Sequence, residues 1–544
     1  MLAHILVVII VAIVITGLAE RRNAQPALLV AIIGLAASFI PGVPRLELAP
    51  EIILGVFLPP MLFSAASDFS FASFAKRLGS IVNLGVFLVF ASAALVGLVA
   101  ALIVPGMGLA SAIVLGAVLA PPDAVAAIAI GRQVGLPAAV MTVLKGESLI
   151  NDAAALTLFT VAVAAVSGTH AFISSTPLYF LYAAVVGIIV GIVIGQLAQL
   201  ARRRLSNPSL ATAVSVLVPF AAYLAAEEIH ASGVLAVVAA GFALGHLSAK
   251  SGYAERIQER NFWRTIDTLL ETFVFAYIGL QLRFVITDAS LAGYDMGKLL
   301  LAAGAIYVAA TLVRFAWVFG TAVLGRWRHR LVMDRLAARP DVPKGPRGSR
   351  PLPPPPLGWK ENLVIAWTGM RGVVTLAAAA GIPAVTAAGT AFPGRNAILA
   401  IAFFVTIASL VVHGLSLPWL IRTLKLEDER ERQFMRHQSE LAQQLSDEAD
   451  RQTLDAYLAT ELDPEVRRLT EFMAKRLAAR RQQTEQEFDT TMSIALGAKL
   501  LEGRRARLLA ARDARELDDT VVRDMLERMD IEQAFMQTLS SASR

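Results

Sequence analysis

Long apolar segments recur along most of this chain and limit what it can fold into. An α-helix needs about 20 predominantly apolar residues to cross a lipid bilayer. By that criterion the sequence predicts thirteen spans, near residues 2–19, 26–42, 50–70, 80–104, 109–131, 139–167, 174–200, 209–229, 232–248, 266–284, 298–325, 361–386 and 395–424. The chain is 56% hydrophobic and only 17% charged, which is typical of membrane proteins. We therefore expect an all-α polytopic membrane protein.

The basic residues between these segments indicate how the chain is threaded through the membrane. Lysine and arginine collect in the loops on the cytoplasmic side. Here they collect in every second loop, whereas the intervening loops hold Arg45, Arg395 and few others. The pattern predicts an N-terminus outside the cell and a C-terminus in the cytoplasm. It also accounts for the net charge of +6 without a nucleic-acid partner.

The composition of the chain changes after residue 424. Residues 1–424 are predicted to form a transmembrane domain, and residues 427–544 a charged helical cytoplasmic tail. Within the first part, residues 339–360 form a proline-rich cytoplasmic loop, because dense proline favours an extended chain. The sequence has no cysteine and no Walker A motif, so we expect no thiolate metal site, no ATP-driven pump and no cofactor.

Four polar side chains lie together in the sixth predicted segment, within the sequence GESLINDA. They are Glu147, Ser148, Asn151 and Asp152. An ionisable side chain inside a span is costly and by default indicates function. Residues four apart share a helical face, so Ser148 and Asp152 form one row and Glu147 and Asn151 the adjacent row. Oxygen ligands of this kind suit a hard monovalent cation or a proton, unless they only hold neighbouring helices together.

The eleventh predicted segment carries an arginine, Arg314, near its centre. A lone guanidinium at that depth is expensive and needs a carboxylate partner. Glu147, Asp123 and Asp152 are the candidates, and the carboxylates that are left over remain able to titrate. A second carboxylate pair, Asp267 and Glu271, is expected to be structural.

Segments five and twelve are both interrupted. Pro121 and Pro122 precede Asp123, and a proline inside a helix removes a backbone hydrogen bond. In segment twelve, glycines at positions 369 and 372 flank Arg371. Broken helices at corresponding positions of two halves indicate inverted repeats around an ion site at the membrane midplane. Segments one to six and eight to thirteen would form the two halves.

Six stretches of the chain, in this order, resemble one known family. They are APPDAVAA, GESLINDA, the segment around Arg314, FVFAYIGLQL, GMRGVVTLA and VVHGLSLPWLIRTL. Together they resemble bacterial sodium/proton antiporters of the NhaP/NHE type, within the cation–proton antiporter superfamily, over residues 1–424. The resemblance implies an antiporter and not an enzyme, and a homodimer in the bacterial inner membrane. It also implies two broken helices that cross, and transported ions Na⁺ (or Li⁺ or K⁺) and H⁺.

The resemblance assigns roles to the polar residues of segment six. Asp152 would bind the cation and the proton alternately, and Ser148 would coordinate the cation. Asn151 places the chain in the Asn-Asp class, which exchanges one proton for each cation without net charge. Glu147 matches the carboxylate that pairs with the arginine of segment eleven, here Arg314.

The first interruption departs from the family pattern. Asp123 matches the aspartate at the unwound crossing, and Gly369, Arg371 and Gly372 lie in the crossing region of segment twelve. Many relatives have a threonine before this aspartate, whereas this chain has Pro122. The cation coordination is therefore open, and K⁺/H⁺ exchange is an alternative to Na⁺/H⁺ exchange.

Two hypotheses from other functional classes also account for charged residues inside the membrane. One is a cation channel, whose flux would need no proton gradient. The other is an intramembrane aspartyl protease, in which two aspartates share a proton. The Gly-x-Gly-Asp signature of such proteases is absent from the sequence.

Overall fold

The computed structural model describes most of the chain. The described residues are 2–22, 26–41, 43, 45, 52–123, 125–168, 175–205, 207–248, 252–337, 356–426, 429–459, 467–468, 470–473 and 490–542. Most of the predicted proline-rich loop, residues 339–355, lies outside the described residues, so its conformation stays a prediction.

The described residues form α-helices joined by short turns, with no β-strand among them. This confirms the predicted all-α fold. The helices are α1 Leu2–Arg21, α2 Pro26–Ala37, α3 Leu58–Ser67, α4 Phe71–Val82, α5 Leu88–Ile103, α6 Leu109–Leu119, α7 Val125–Val134, α8 Ala138–Ser167, α9 Thr176–Arg202, α10 Pro208–Glu228, α11 Gly233–Ser248, α12 Tyr253–Leu280, α13 Leu282–Leu291, α14 Met296–Ala337, α15 Trp359–Trp367, α16 Val373–Ala380, α17 Arg395–Leu424, α18 Glu429–Leu458, α19 Thr490–Asp513 and α20 Asp519–Ala542.

Each predicted span overlaps with one or more helices of the structure. In the part of the chain that the structure describes, eight helical stretches are long and apolar enough to cross a bilayer. Four apolar stretches are shorter, namely α2, α6, Gly233–His246 in α11, and Ile53–Ser67, in which a π-helical turn precedes α3. Because several predicted spans are short or broken, the total of thirteen stays a prediction.

One helix begins well before the span predicted for it. The sequence placed this span at 266–284, but α12 begins at Tyr253. Its first turns carry Glu255, Arg256 and Glu259, which hydropathy assigns to a loop. Backbone hydrogen bonds hold a helix together whatever its side chains, so a polar extension is invisible to a search for apolar residues.

Contacts between residues divide the chain into two units. The first unit contains Met1–Arg204, Ala213–Gly245 and Phe262–Glu427. The second unit contains Leu205–Thr212, His246–Asn261 and Asp428–Arg544. The predicted boundary between the membrane domain and the tail lies at the end of the first unit. The second unit also contains parts of α10, α11 and α12, which nothing in the sequence groups with the tail.

Small residues bring the helices of the first unit close together. At Gly116 of α6, a Cβ atom would overlap the backbone carbonyl of Ala93 in α5. Such close approach is how membrane helices gain packing energy, since lipid offers no hydrophobic drive for their association. Large apolar side chains such as Leu102 and Leu301 are instead 78% and 76% exposed, as expected for residues that face lipid.

Buried ion pairs and an apolar cluster hold the second unit together. The cluster includes Leu445 of α18, Leu508 of α19 and Val522 of α20. Beside it, Arg504 donates two hydrogen bonds of 2.6 Å each to the fully buried Asp450. Burial lowers the pKa of Arg504, but the hydrogen bond and charge of Asp450 outweigh it, so its pKa lies above the ordinary value.

A second buried carboxylate ties α20 to the start of α12. Asp530 is 0% exposed and accepts hydrogen bonds from Arg256 of α12 and from Arg505 of α19. The Asp530 oxygen lies 2.8 Å from Nε of Arg256. These contacts explain why the first turns of α12 belong to the same unit as the tail.

Candidate functional site

Two pairs of helices are separated by short non-helical breaks, as the sequence predicted. Helix α6 ends at Leu119 and α7 begins at Val125. Helix α15 ends at Trp367 and α16 begins at Val373. Pro121 and Pro122 lie in the first break, where proline cannot continue the hydrogen-bond ladder of a helix.

The two breaks cross and bond to each other. The backbone N–H of Asp123 in the first break donates to the carbonyl of Met370 in the second, over 2.6 Å. In return, Nε of Arg371 donates to the carbonyl of Leu119, the last residue of α6, over 3.2 Å. Backbone groups that the breaks release from helices therefore find partners at the crossing, as buried polar groups require.

Opposite charges meet the ends of the broken helices. Arg371, which is 2% exposed, lies against the carboxyl end of α6, where unpaired carbonyls leave partial negative charge. Asp123 lies against Gly372, which precedes the first turn of α16, where unpaired N–H groups leave partial positive charge. The structure thus places the positive charge of Arg371, whose role the sequence left open, at the carboxyl end of a broken helix.

Close approach explains the two glycines of the second break. A Cβ atom at Gly372 would overlap the carboxylate of Asp123. A Cβ atom at Gly369 would lie 2.7 Å from Cδ of Arg314. Both positions therefore lack room for any larger residue.

The structure places Arg314 of α14 against Glu147 of α8. The guanidinium donates to both carboxylate oxygens, over 2.5 and 3.0 Å, and residues Arg314 and Glu147 are 3% and 2% exposed. Two further bonds, of 3.1 and 2.8 Å, reach the carbonyl of Ile365 near the end of α15. Of the three carboxylates that the sequence offered as partners, Glu147 is the one that faces Arg314.

The other predicted residues of α8 lie beside the first break. Nδ2 of Asn151 donates to the carbonyl of Pro122 over 2.8 Å, and Asn151 is 0% exposed. Asp152 is 7% exposed and lies close enough to Asp123 for their charges to interact. Ser148, one turn before Asp152, is half-buried. The structure thus brings Asn151, Asp152 and the crossing together, with oxygen atoms that suit a monovalent cation.

Helix α12 contributes two carboxylates that the sequence analysis took to be structural. Asp267 accepts a hydrogen bond of 2.5 Å from Oγ of Ser64 in α3. One turn further along, Glu271 lies close enough to Asp123 for their charges to interact. The sequence already showed that these two acids lie one turn apart on one helical face of an apolar segment, which is a pattern that can indicate function.

A comparison with protein-family models identifies the chain. The model described as "Sodium/hydrogen exchanger, transmembrane" matches residues 6–423. The chain belongs to the sodium/hydrogen exchanger family. It is therefore a monovalent cation/proton antiporter and not an enzyme, and the channel and protease hypotheses are set aside.

Individual members of this family are similar to the chain over much of its length. An uncharacterized Na⁺/H⁺ exchanger of Mycobacterium tuberculosis is 31% identical over 543 residues, which cover 97% of this chain and 95% of that protein. A sodium, potassium, lithium and rubidium/H⁺ antiporter of Bacillus subtilis is 32% identical over 410 residues, covering 73% of this chain and 57% of that protein.

A solved structure shares the fold. The sodium proton antiporter MjNhaP1 from Methanocaldococcus jannaschii matches with a TM-score of 0.57 and 19% sequence identity, covering 78% of this chain and 99% of that one. The match confirms the predicted antiporter fold.

Proposed function

We propose that this antiporter exchanges Na⁺ for H⁺ and that Asp152 binds the two ions alternately. The observation that supports the proposal is that the two acids of α8, Glu147 and Asp152, have different surroundings. Glu147 is held by both arms of the Arg314 guanidinium. Asp152 lies instead beside the break at Asp123, where a helix is interrupted inside the membrane. A carboxylate that holds either a proton or a cation makes the two ions compete for one site.

Competition at one carboxylate also supports electroneutral exchange. When Asp152 carries Na⁺ or H⁺, the charge of the site is the same, so one cation crosses for each proton returned. Asn151 supports this stoichiometry because a second acid at its position could bind a further proton. Ser148 and Asp123 complete the proposed cation site.

A second candidate for the transported ion is K⁺. The relative from Bacillus subtilis is named for sodium, potassium, lithium and rubidium. In this chain Pro122 offers no side-chain oxygen next to Asp123. The missing oxygen changes the coordination at this position, which makes K⁺ a candidate beside Na⁺.

Transport by this site requires that it open to each side of the membrane in turn. We propose that the helices around the crossing move as a body within a homodimer, in a bacterial inner membrane. The alternation of basic loops supports an N-terminus outside and a C-terminus in the cytoplasm.

Proton flux in membrane vesicles tests the proposal. Inverted vesicles loaded with a pH-sensitive dye receive pulses of Na⁺, Li⁺ or K⁺, with wild type, Asp152→Asn and the exposed control Glu228→Gln. We expect Asp152→Asn to abolish the dye response to every cation and Glu228→Gln to keep it. A normal response from Asp152→Asn would refute the assignment of the site, and the cation series on wild type separates Na⁺ from K⁺ transport.

A further inference from the structure

A buried threonine lies in the first turn of α16, next to the crossing. Thr375 is 1% exposed. Its hydroxyl oxygen has no hydrogen-bond partner among the described residues. Buried polar groups are nearly always paired, and an unpaired one calls for an explanation such as a bound ion or water.

Other helical threonines of this chain show what Thr375 lacks. The hydroxyls of Thr157, Thr311 and Thr406 each donate to the backbone carbonyl four residues earlier, over 2.8 to 2.9 Å. For Thr375 that carbonyl belongs to Arg371, which precedes the start of α16. Gly372 between them has φ −139° and ψ −143°, so the chain is extended there and not helical. The break in the helix therefore removes the usual partner of this hydroxyl.

The position of Thr375 relative to the crossing follows from its neighbours in the chain. Thr375 is three residues after Gly372, and the carboxylate of Asp123 lies directly against Gly372. Asn151 donates to the carbonyl of Pro122, the residue before Asp123. Thr375 and Asn151 are therefore each within a few residues of a contact at the crossing.

Asn151 carries a second buried oxygen without a partner. Its Nδ2 donates to the carbonyl of Pro122, and only the nitrogen of an amide can donate to a carbonyl, so the orientation of the amide is fixed. Its Oδ1 then has no hydrogen-bond partner among the described residues, although Asn151 is 0% exposed. Two neutral oxygen atoms close to the crossing are thus buried and have no hydrogen-bond partner among the described residues.

We propose that the hydroxyl oxygen of Thr375 is a cation ligand, and that with Oδ1 of Asn151 it completes the coordination by Asp152. The inference rests on the proposed function of Asp152. A hard cation binds several oxygens, and neutral ones add coordination without adding charge. Where Pro122 offers no hydroxyl in the first broken helix, Thr375 supplies one from the second. Each broken helix therefore contributes to the site.

The test compares variants of two buried threonines in the same vesicle assay. Thr375→Val removes the hydroxyl and keeps the shape, Thr375→Ser keeps the hydroxyl, and Thr406→Val removes a hydroxyl that is bonded within its own helix. We expect Thr375→Val to raise the apparent KM for Na⁺ about tenfold with little change in the maximum rate. Thr375→Ser and Thr406→Val should stay within about threefold of wild type.

Thermal unfolding of the purified variants in detergent gives an independent readout. Na⁺ should raise the Tm of wild type and Thr375→Ser, and should raise that of Thr375→Val only at about tenfold higher concentration. A Thr375→Val protein with the KM and the Na⁺-dependent Tm shift of wild type would overturn the inference, even if its Tm without Na⁺ were lower. If Asp152→Asn is inactive in that case, the proposed function stands and only the role of Thr375 is lost.

Discussion

Glu147 and Asp152 lie on the same helix, α8, but have different neighbours. The guanidinium of Arg314 holds Glu147 with two hydrogen bonds, and both side chains are almost fully buried. Inside a membrane, neither charge of this pair could remain alone at low cost. We therefore infer that the pair is structural, and propose Asp152 as the acid that exchanges its bound ion.

Removing one partner of the buried pair should destabilise the protein. Glu147→Ala leaves the guanidinium of Arg314 buried without its counter-charge, which costs about 3 kcal/mol or more. We expect a lower Tm in detergent, whereas Glu228→Ala, at an exposed acid, should leave the Tm unchanged. Adding Arg314→Leu to Glu147→Ala should restore part of the loss, because no unpaired charge then remains. An unchanged Tm in Glu147→Ala would show that the pair contributes nothing to stability.

For single residues, the sequence was enough to single out the ionisable side chains inside the predicted spans, but not to predict their contacts. The cost of charge in a membrane was enough to single out Glu147, Asp152 and Arg314. The partner of Arg314 could not be chosen, because it depends on which face of α14 packs against α8. The hydroxyl of Thr375 was missed for a related reason: a threonine is ordinary in an apolar helix until a break removes its backbone partner.

The breaks of α6–α7 and α15–α16 act together as one element. Each supplies a backbone or side-chain donor to the other, through Asp123 and Arg371. Their contact depends on Gly372, because there is no space for a side chain between this backbone and the carboxylate of Asp123. The two breaks are therefore packed tightly against each other at the crossing.

A methyl group at the crossing should separate the two breaks. Gly372→Ala would force the carboxylate of Asp123 away from the start of α16. We expect the maximum rate of cation-driven proton flux to fall at least about tenfold, since small displacements in a packed site have large effects. Gly304→Ala is the matched control, because a Cβ atom at that helical glycine meets nothing within 4 Å. Wild-type flux in Gly372→Ala would mean that the crossing accommodates a methyl group without loss of transport.

At the scale of elements, composition predicted the breaks but not the ends of the helices. Pro121 and Pro122 precede Asp123, and Gly369 and Gly372 flank Arg371, so residues that disfavour helix beside a charged residue located both breaks. Proline alone would not have done so, because Pro219 and Pro418 lie inside α10 and α17. The early start of α12 at Tyr253 could not, because its charged turns are stabilised by partners distant in sequence. Asp530 lies far along the chain from Arg256, and only the folded structure shows that they bond.

In the mechanism proposed for the whole molecule, the gradients of Na⁺ and H⁺ are coupled at one carboxylate, that of Asp152. If Na⁺ and H⁺ occupy Asp152 in turn, neither ion can cross while the other is bound. The driving force on one ion is then transferred to the other through their competition, without any change in the net charge that crosses. The first break lies beside this carboxylate, and Arg314 pairs with the other buried acid of α8, Glu147.

The pH dependence of the Na⁺ affinity tests whether Na⁺ and H⁺ compete for Asp152. Purified protein in liposomes is assayed for Na⁺-driven proton flux over a series of Na⁺ concentrations, at several pH values equal on both sides. Because a protonated Asp152 cannot bind Na⁺, we predict that the apparent KM for Na⁺ rises steadily as the pH falls, while the maximum rate at saturating Na⁺ stays nearly constant. An apparent KM that does not change with pH would contradict competition for a single site.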